Sequence, residues 1–318
     1  MKACVIGSKS RASSTMKIFE ALKNINKFKS VFFATTEGIR IGVKDGNFPI
    51  FYKDIDLSKF DVVLPRIGAS KALFGYLMVK YLRNKNVYVP MTPESIVIAH
   101  NKFLTLELLN KANIPIPETY LTMSPATAKR IIDKMKPPVV MKLLGGSGGK
   151  GVMFSTERHS AVTMIDTLGV LNQPLFIEKY VKNPGEDIRV IVVGNEAVAS
   201  MKRKAKKGEK RSNLAAGGKG VPYSINNEIE DIAVRSADAI GAEICGVDIV
   251  ESRDGPVVLE VNICPGMKIS QITGINVEKR IAEYVARKGD YYRETKEIRG
   301  LGYYIEKLSK WFSEALEE

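Results

Sequence analysis

Two nearly continuous runs of Val, Ile and Leu, close together in the chain, constrain this sequence more than any other feature. They lie in GVDIVESRDGPVVLEVNICPG (246–266), on either side of Ser252, Asp254, Gly255 and Pro256, residue types that mark a turn. Strands that are apolar at successive positions are buried on both faces, so each polar residue within them needs an explanation. Here those residues are Asp248, Glu260 and Asn262. Alternation along the second strand predicts Val258, Glu260 and Asn262 on one face and Val257, Leu259 and Val261 on the other. A hairpin symmetric about Asp254 sets position 248 opposite position 260. Two carboxylates and an amide oxygen then crowd one sheet face. Carboxylates that close repel each other unless a cation sits between them. Three oxygen ligands on a rigid sheet suit a hard divalent ion such as Mg²⁺, with positions left open for water or phosphate. The competing reading is an outward-facing polar strand face. Burial of both faces weighs against it, because a buried carboxylate without a partner is costly.

The 318 residues are enough for two or three subdomains, and 45% hydrophobic with 26% charged residues is ordinary for a globular chain. No apolar run approaches the roughly 20 residues of a membrane span. The start, MKACVIGS, reads as a short strand and not a signal peptide. Cys4, Cys245 and Cys264 are far apart and form no C-x-x-C, which disfavours a disulfide framework or a zinc site and fits a reducing cytoplasm. Net charge is +13, and residues 202–219 hold eight Lys or Arg against one Glu. That stretch implies an anionic partner: phosphates, an acidic substrate or nucleic acid. A solvated charge run, or Lys enrichment for heat, reads equally well from charge alone.

Strand and helix patterns alternate through 1–95, an α/β arrangement in which ligands gather at the carboxyl ends of strands. DVVLPRIG (61–68) reads as a strand ending in a loop, and Arg66 at that end is placed to meet an anionic group. Further on, Ser124 caps a helix at 125–135, and PPVVMKLL (137–144) runs into GGSGGKG (145–151), followed by a return strand. Five glycines in seven residues let the backbone approach an anion and point N–H groups at it. The loop is neither a Walker A loop nor a Rossmann fingerprint, because a strand follows where a helix should. Lys142 lies on the strand face opposite Met141 and Leu143, where it can hold phosphate. IEKYV (177–181) reads as a hinge whose backbone could pair with adenine, while Glu186 or Asp187 could accept from ribose hydroxyls. His100 and His159 have no triad-like surroundings and read as structural. The residue types suit electrostatic stabilisation of a transferring phosphoryl group better than covalent catalysis.

Taken in chain order, Lys102, Lys142 with GGSGGKG, IEKYV, DIRVIVVG (187–194), KRKAKKGEKRSNLAAGG (202–218) and GVDIV…LEVNICPGM…TGINV resemble the ATP-grasp superfamily. Within it the chain resembles the bacterial and archaeal RimK-type ligases, which add glutamate to a carboxylate. R-S-N-L-x-x-G-G (211–218) and E-V-N-x-x-P-G (260–266) are specific together, and PRIG (65–68) matches the N-terminal domain of that group. The resemblance covers about residues 1–288. It implies an α/β fold with α+β subdomains: an N-terminal pre-ATP-grasp domain (1–95), a central ATP-grasp subdomain with the glycine-rich lid (96–182), a C-terminal ATP-grasp subdomain with the metal site (183–289) and a helical tail (290–318).

The resemblance also implies roles. Lys102 and Lys142 hold ATP phosphates under the lid, with Gly148 and Gly149 at the nucleotide. Glu178, Lys179, Tyr180 and Val181 line the adenine pocket, and Asp187 binds ribose. Asp248, Glu260 and Asn262 hold two Mg²⁺ ions, for which Mn²⁺ can substitute. Arg203, Arg211 and Asn213 stabilise an acyl phosphate and its carboxylate, with Arg211 and Asn213 also on the nucleotide. Arg66 and Arg203 meet substrate. The implied reaction transfers the γ-phosphoryl group of ATP to a carboxylate; an amine, L-glutamate, then attacks the acyl phosphate. The acceptor is a protein C-terminus or a cofactor tail, and the enzyme is a cytoplasmic homo-oligomer, dimer or tetramer. Cys264 departs from the small residue usual before Pro-Gly, and the tail with Trp311 lies beyond the usual core. A non-catalytic nucleotide-binding module is disfavoured by the intact Asp248, Glu260 and Asn262, and two further readings stand beside the ligase. The first is the amino-group-protecting ligase of lysine biosynthesis, disfavoured by VNICPGMKISQITGINV. The second is a nucleic-acid-binding protein using 202–219, a stretch with no aromatic residue for base stacking.

Overall fold

The computed structural model describes residues 1–10, 13–144, 151–183, 185–206 and 217–295. Gly148, Gly149, Arg211, Asn213 and the tail beyond 295 lie outside the described residues. The chain forms two compact units, the first made of Met1–Arg66, Leu77–Pro90 and the chain from Glu278 onward, the second of Ile67–Tyr76 and Met91–Val277.

In the first unit β1 (Lys2–Gly7) pairs in parallel with β2 (Ser30–Thr35). A small antiparallel sheet follows, made of β3 (Ile39–Ile41), β4 (Ile50–Tyr52) and β5 (Ile55–Asp56). β6 (Val62–Pro65) then joins β1 in parallel on its other side. Cys4, Val5, Ile6, Val62 and Val63 are fully buried, as expected for a parallel sheet covered on both faces. Helix α1 (Ser13–Lys23) buries Ile18 and Leu22, and α2 (Ala72–Asn84) buries Met78, Val79 and Leu82. Lys44-Asp45-Gly46 lies in the connection of the antiparallel β3–β4 hairpin.

The second unit opens with α3 (Pro93–Ala99) and α4 (Lys102–Lys111). Next come β7 (Thr119–Thr122), α5 (Pro125–Met135), β8 (Val139–Lys142), β9 (Val152–Ser155), α6 (Arg158–Val170) and β10 (Leu175–Lys179). As the sequence implied, the Ser124 hydroxyl accepts from the Thr127 N–H and caps α5. The four strands form an antiparallel sheet in the order β7-β10-β8-β9. One face packs Val139, Met141, Leu175 and Ile177 against Ala128 and Ile132 of α5 and Ala161 and Ile165 of α6. The other carries Val140, Lys142, Phe176 and Glu178. Lys142 is thus turned away from the helices, and Leu143 packs into their cluster beside Met141.

A second sheet follows, with β11 (Glu186–Val193), β12 (Glu196–Lys204), β13 (Lys219–Pro222), β14 (Ile244–Ser252) and β15 (Gly255–Asn262) in the antiparallel order β13-β12-β11-β14-β15. Helix α7 (Asn227–Ala239) packs on four of these strands, and α4 packs on β15. α8 (Lys268–Thr273) and a helix over 277–295 complete the described chain. Short elements such as α3, β13 and α8 carry too little periodicity to stand out in sequence.

The β14–β15 hairpin places position 248 opposite 260 as expected, but by a different route. Its turn is tighter than one centred on Asp254: Ser252 faces Gly255, which adopts φ +111. Ile249 then faces Val258. A β-bulge at Leu259 adds one residue, after which Asp248 faces Glu260 and Gly246 faces Asn262. The bulge also corrects the face assignment. Val258 is fully buried beside Ile249, on the side away from Glu260 and Asn262. Simple alternation fails here because two residues of β15 oppose one of β14. Deleting Leu259 should regularise the ladder and preserve both pairs, so divalent-ion affinity should stay within about threefold. Deleting Val261 brings Asn262 opposite Val247 and should abolish it, as read by Mn²⁺ titration with circular dichroism as the control for folding.

Candidate functional site

Strand register gathers six polar side chains on one face of the five-stranded sheet. Asp187 and Arg189 alternate on β11; Arg203 of β12 faces Asp187, Asp248 of β14 faces Arg189, and Glu260 and Asn262 continue the face on β15. Two arginines and two carboxylates form a continuous ionic chain within it. Arg189 donates from Nε to Asp248 Oδ1 at 2.7 Å and from Nη2 to Oδ2 at 2.6 Å. Arg203 donates from Nε and Nη2 to the two Asp187 oxygens, both at 2.6 Å, and its Nη2 lies 2.8 Å from Asp248 Oδ2. These are the short, two-pronged bonds in which guanidinium and carboxylate match best. Arg203 is 2% exposed. Burial disfavours its charge, but Asp248 and Asp187 overcome that and hold its pKa above the ordinary arginine value. Burial likewise pushes the Asp248 carboxyl up, and Arg189 and Arg203 outweigh it, bringing the pKa down to about 2.

Glu260 contrasts with Asp248. It makes no hydrogen bond or ion pair among the described residues, and it remains solvent-exposed although densely surrounded by protein. That environment, with Asp248 beside it, raises its pKa; Arg189, Lys102 and Lys142 oppose the rise. Asn262 Oδ1 accepts the Cys264 N–H at 2.9 Å, which leaves a second lone pair. Two carboxylates and an amide oxygen, one carboxylate unpaired, form a donor set that fits a hard divalent cation. Among the described residues no cluster of three His, Cys, Asp or Glu competes with it.

Two lysines stand near this face. Lys102 begins α4, whose N-terminus Asn101 caps through bonds from Phe103 and Leu104 N–H. Its Nζ donates to Leu144 O at 3.4 Å. Burial lowers its pKa and Lys142 adds to the effect, while Glu260 and Glu178 oppose it. Lys142 crosses the ring of Phe176, 5.8 Å from its centroid, to donate to Glu178 Oε2 at 2.8 Å. Glu178 is 3% exposed, so it serves as the buried anion of Lys142. The next residue, Lys179, points the other way and donates to Met135 O at 2.8 Å and Lys136 O at 2.7 Å, closing the C-terminus of α5. Its side chain is therefore turned from the Lys142 face, and its backbone N–H donates to Glu118 O at 2.8 Å. Tyr180 packs edge-on against Phe154 at 4.8 Å and donates its hydroxyl to Asn183 O, and Asn183 Nδ2 bonds Val181 O. In the first unit Arg66 follows β6 and donates to Thr15 Oγ1 at 3.3 Å and Ser14 Oγ at 3.4 Å.

Residues 99–285 match the model of the RimK-like ATP-grasp domain, and residues 1–96 match that of the RimK pre-ATP-grasp domain. The chain belongs to the RimK-like ATP-grasp family. A probable alpha-L-glutamate ligase of Legionella pneumophila is 36% identical over 235 residues, covering 73% of this chain and 78% of the relative. One of Thioalkalivibrio sulfidiphilus is 32% identical over 307 residues, covering 95% and 100%. Among solved structures, the ATP-grasp ligase PsnB complexed with a phosphomimetic variant of its minimal precursor, Mg and ADP superposes with a TM-score of 0.69 at 18% identity, covering 90% of this chain and 98% of that one. A RimK domain ATP-grasp protein from Sphaerobacter thermophilus gives 0.68 at 18% identity, covering 89% and 99%. This RimK-like chain is an ATP-dependent ligase with the ATP-grasp fold and an N-terminal pre-ATP-grasp domain.

Sequence reasoning passed over Arg189. The signal was there: it is the one charged residue inside the apolar run IRVIVV, the same anomaly that drew attention to Asp248. What was missing was the partner strand, which only register supplies.

Two measurements follow from these ion pairs. Glu178→Gln leaves Lys142 without its anion in a largely buried setting and should cost about 2–3 kcal/mol in urea unfolding. Asp248 has a folded pKa of about 2, below the ordinary 3.8. It therefore contributes stability that is present above pH ~4 and lost as pH falls through about 2, on the order of 2 kcal/mol. Acid titration of unfolding should show that loss in the parent protein and a shallower one in Asp248→Asn.

Proposed function

We propose that this ligase activates a carboxylate with ATP and joins it to an amino acid, with L-glutamate as the amine donor. The observation that carries the reading is the oxygen-lined face of Asp248, Glu260 and Asn262, with one unpaired carboxylate and the Lys102 and Lys142 ammonium groups near it. Lys102 and Lys142 hold the ATP phosphates, with Gly148, Gly149, Arg211 and Asn213 completing the nucleotide site. The backbone of Glu178–Val181 receives adenine, and Asp187, at the start of β11, accepts from ribose. Asp248, Glu260 and Asn262 hold Mg²⁺, two ions in all, with Mn²⁺ as a substitute. The bound ions offset phosphate charge and align the transferring group. Arg66 receives the acceptor.

The acceptor carboxylate oxygen attacks the γ-phosphorus of ATP, forming an acyl phosphate and releasing ADP. The amine of glutamate then attacks the acyl carbon, loses a proton, and displaces inorganic phosphate to leave an amide. Glutamate is supported by relatives described as probable alpha-L-glutamate ligases. A peptide or protein C-terminus as acceptor is supported by structural neighbours that hold precursor peptides; a cofactor tail offers the same carboxylate chemistry. No helix of the described residues is long and apolar enough to cross a membrane. Cys4 and Cys245 are buried free thiols, which supports a reducing, ATP-rich cytoplasm.

A coupled ADP-release screen of amino acids against carboxylate acceptors, with products read by mass spectrometry, tests the reading. Glutamate-dependent ADP release with a mass gain of one glutamyl residue is expected; turnover with other amino acids and none with glutamate would replace the donor. Glu260→Gln and Asn262→Ala should each abolish ligation with circular dichroism unchanged, and full activity in both would remove the site.

A further inference from the structure

Arg203, which the resemblance implied on the acyl phosphate, has two carboxylates as its partners in the structure. At 2% exposure it is the largest fully buried side chain, with its guanidinium turned to Asp187 and Asp248. Arg189 is committed in the same direction by a two-pronged bond. Its side chain runs alongside Gly246: a Cβ there would lie 3.1 Å from Pro265 Cβ, 3.4 Å from Ile191 and 3.8 Å from Arg189 Cδ. A carboxylate has about four acceptor directions. On Asp248, Arg189 takes one on each oxygen and Arg203 takes a second on Oδ2. One direction, on Oδ1, stays open.

We propose that Arg189 and Arg203, the latter anchored by Asp187, are positioning residues that fix Asp248 with a single acceptor direction left for a metal ion. This rests on the reading of Asp248 as a metal ligand. Asp248 then contributes one bond to one ion, and Glu260, with no such partners, supplies the remaining carboxylate bonds. The arginines act through Asp248 and not by touching the phosphates. Lysine cannot replace them, because a single ammonium cannot reproduce the fork that holds both oxygens at once.

The test is Mn²⁺ binding to the full-length chain with ADP present, followed by electron paramagnetic resonance, beside ADP affinity measured in EDTA. Arg189→Lys, Arg189→Met and Arg203→Lys should each weaken Mn²⁺ binding about tenfold or more, the size expected when a partner orienting a ligand is lost. ADP affinity without metal should stay within about threefold, since the lysine variants keep the charge and, on this proposal, neither arginine touches the phosphates. The double variant Arg189→Met with Asp248→Asn should bind Mn²⁺ no more weakly than Asp248→Asn alone, because residues that act through one another are not additive. The double variant also removes the unpaired buried charge, so together with Arg189→Lys it carries the test if Arg189→Met does not fold. Mn²⁺ affinity within about twofold of the parent in Arg189→Lys and Arg203→Lys, or additive losses in the double variant, overturns the proposal. Glu260→Gln separates the two readings. If it leaves Mn²⁺ binding intact, the metal site itself is wrong; if it abolishes binding while the arginine variants do not, only the positioning role fails.

Discussion

The carboxylate of Asp248 is the point on which this structure turns. It sits 7% exposed in a sheet whose neighbouring positions are Val247, Ile249 and Val250, all buried. Left alone there it would take up a proton. Arg189 and Arg203 keep it ionised: Arg189 faces it from the adjacent strand β11, and Arg203, itself opposite Asp187, reaches it from β12 across β11. Every antiparallel pair in β12-β11-β14 must be in place for that to happen. The long strands, the packing of α7 behind them and the ionic chain on the open face therefore specify one another.

The division of labour between the two carboxylates follows from this. Asp248 accepts from two arginines and keeps one open direction, while Glu260 makes no hydrogen bond or ion pair among the described residues, though they face each other across one hairpin. Environment alone separates two chemically similar groups, one locked and one available. The Leu259 bulge makes the opposition possible, since it repairs the one-residue offset left by the tight turn at Arg253 and Asp254.

Much of this was legible in the sequence. The apolar strands around Asp248, Glu260 and Asn262 announced a buried hairpin, the alternation of Lys142 against Met141 and Leu143 gave the correct sheet face, and Ser124 marked a helix start. The RimK-like pattern ordered these pieces into a fold. What sequence could not supply was cross-strand partnership. Glu178 and Asp187 suggested nucleotide contacts because of where they fall in the pattern, yet each is paired with a cation of its own sheet, the half-buried Lys142 and the buried Arg203 respectively. Val258 was assigned to the wrong face because a bulge has no mark in composition. Pairing between residues far apart in the chain is a property of register, and register is set by turns and bulges that single positions do not reveal.

Strand β10 carries a further implication. Glu178 holds Lys142 on one side of its sheet, while Lys179, the very next residue, is fastened to the end of α5 on the other. The two faces are thus riveted through a single peptide unit. The anion that orients Lys142 and the cation that closes α5 are consecutive residues, so a shift of β10 along its sheet would displace both contacts together.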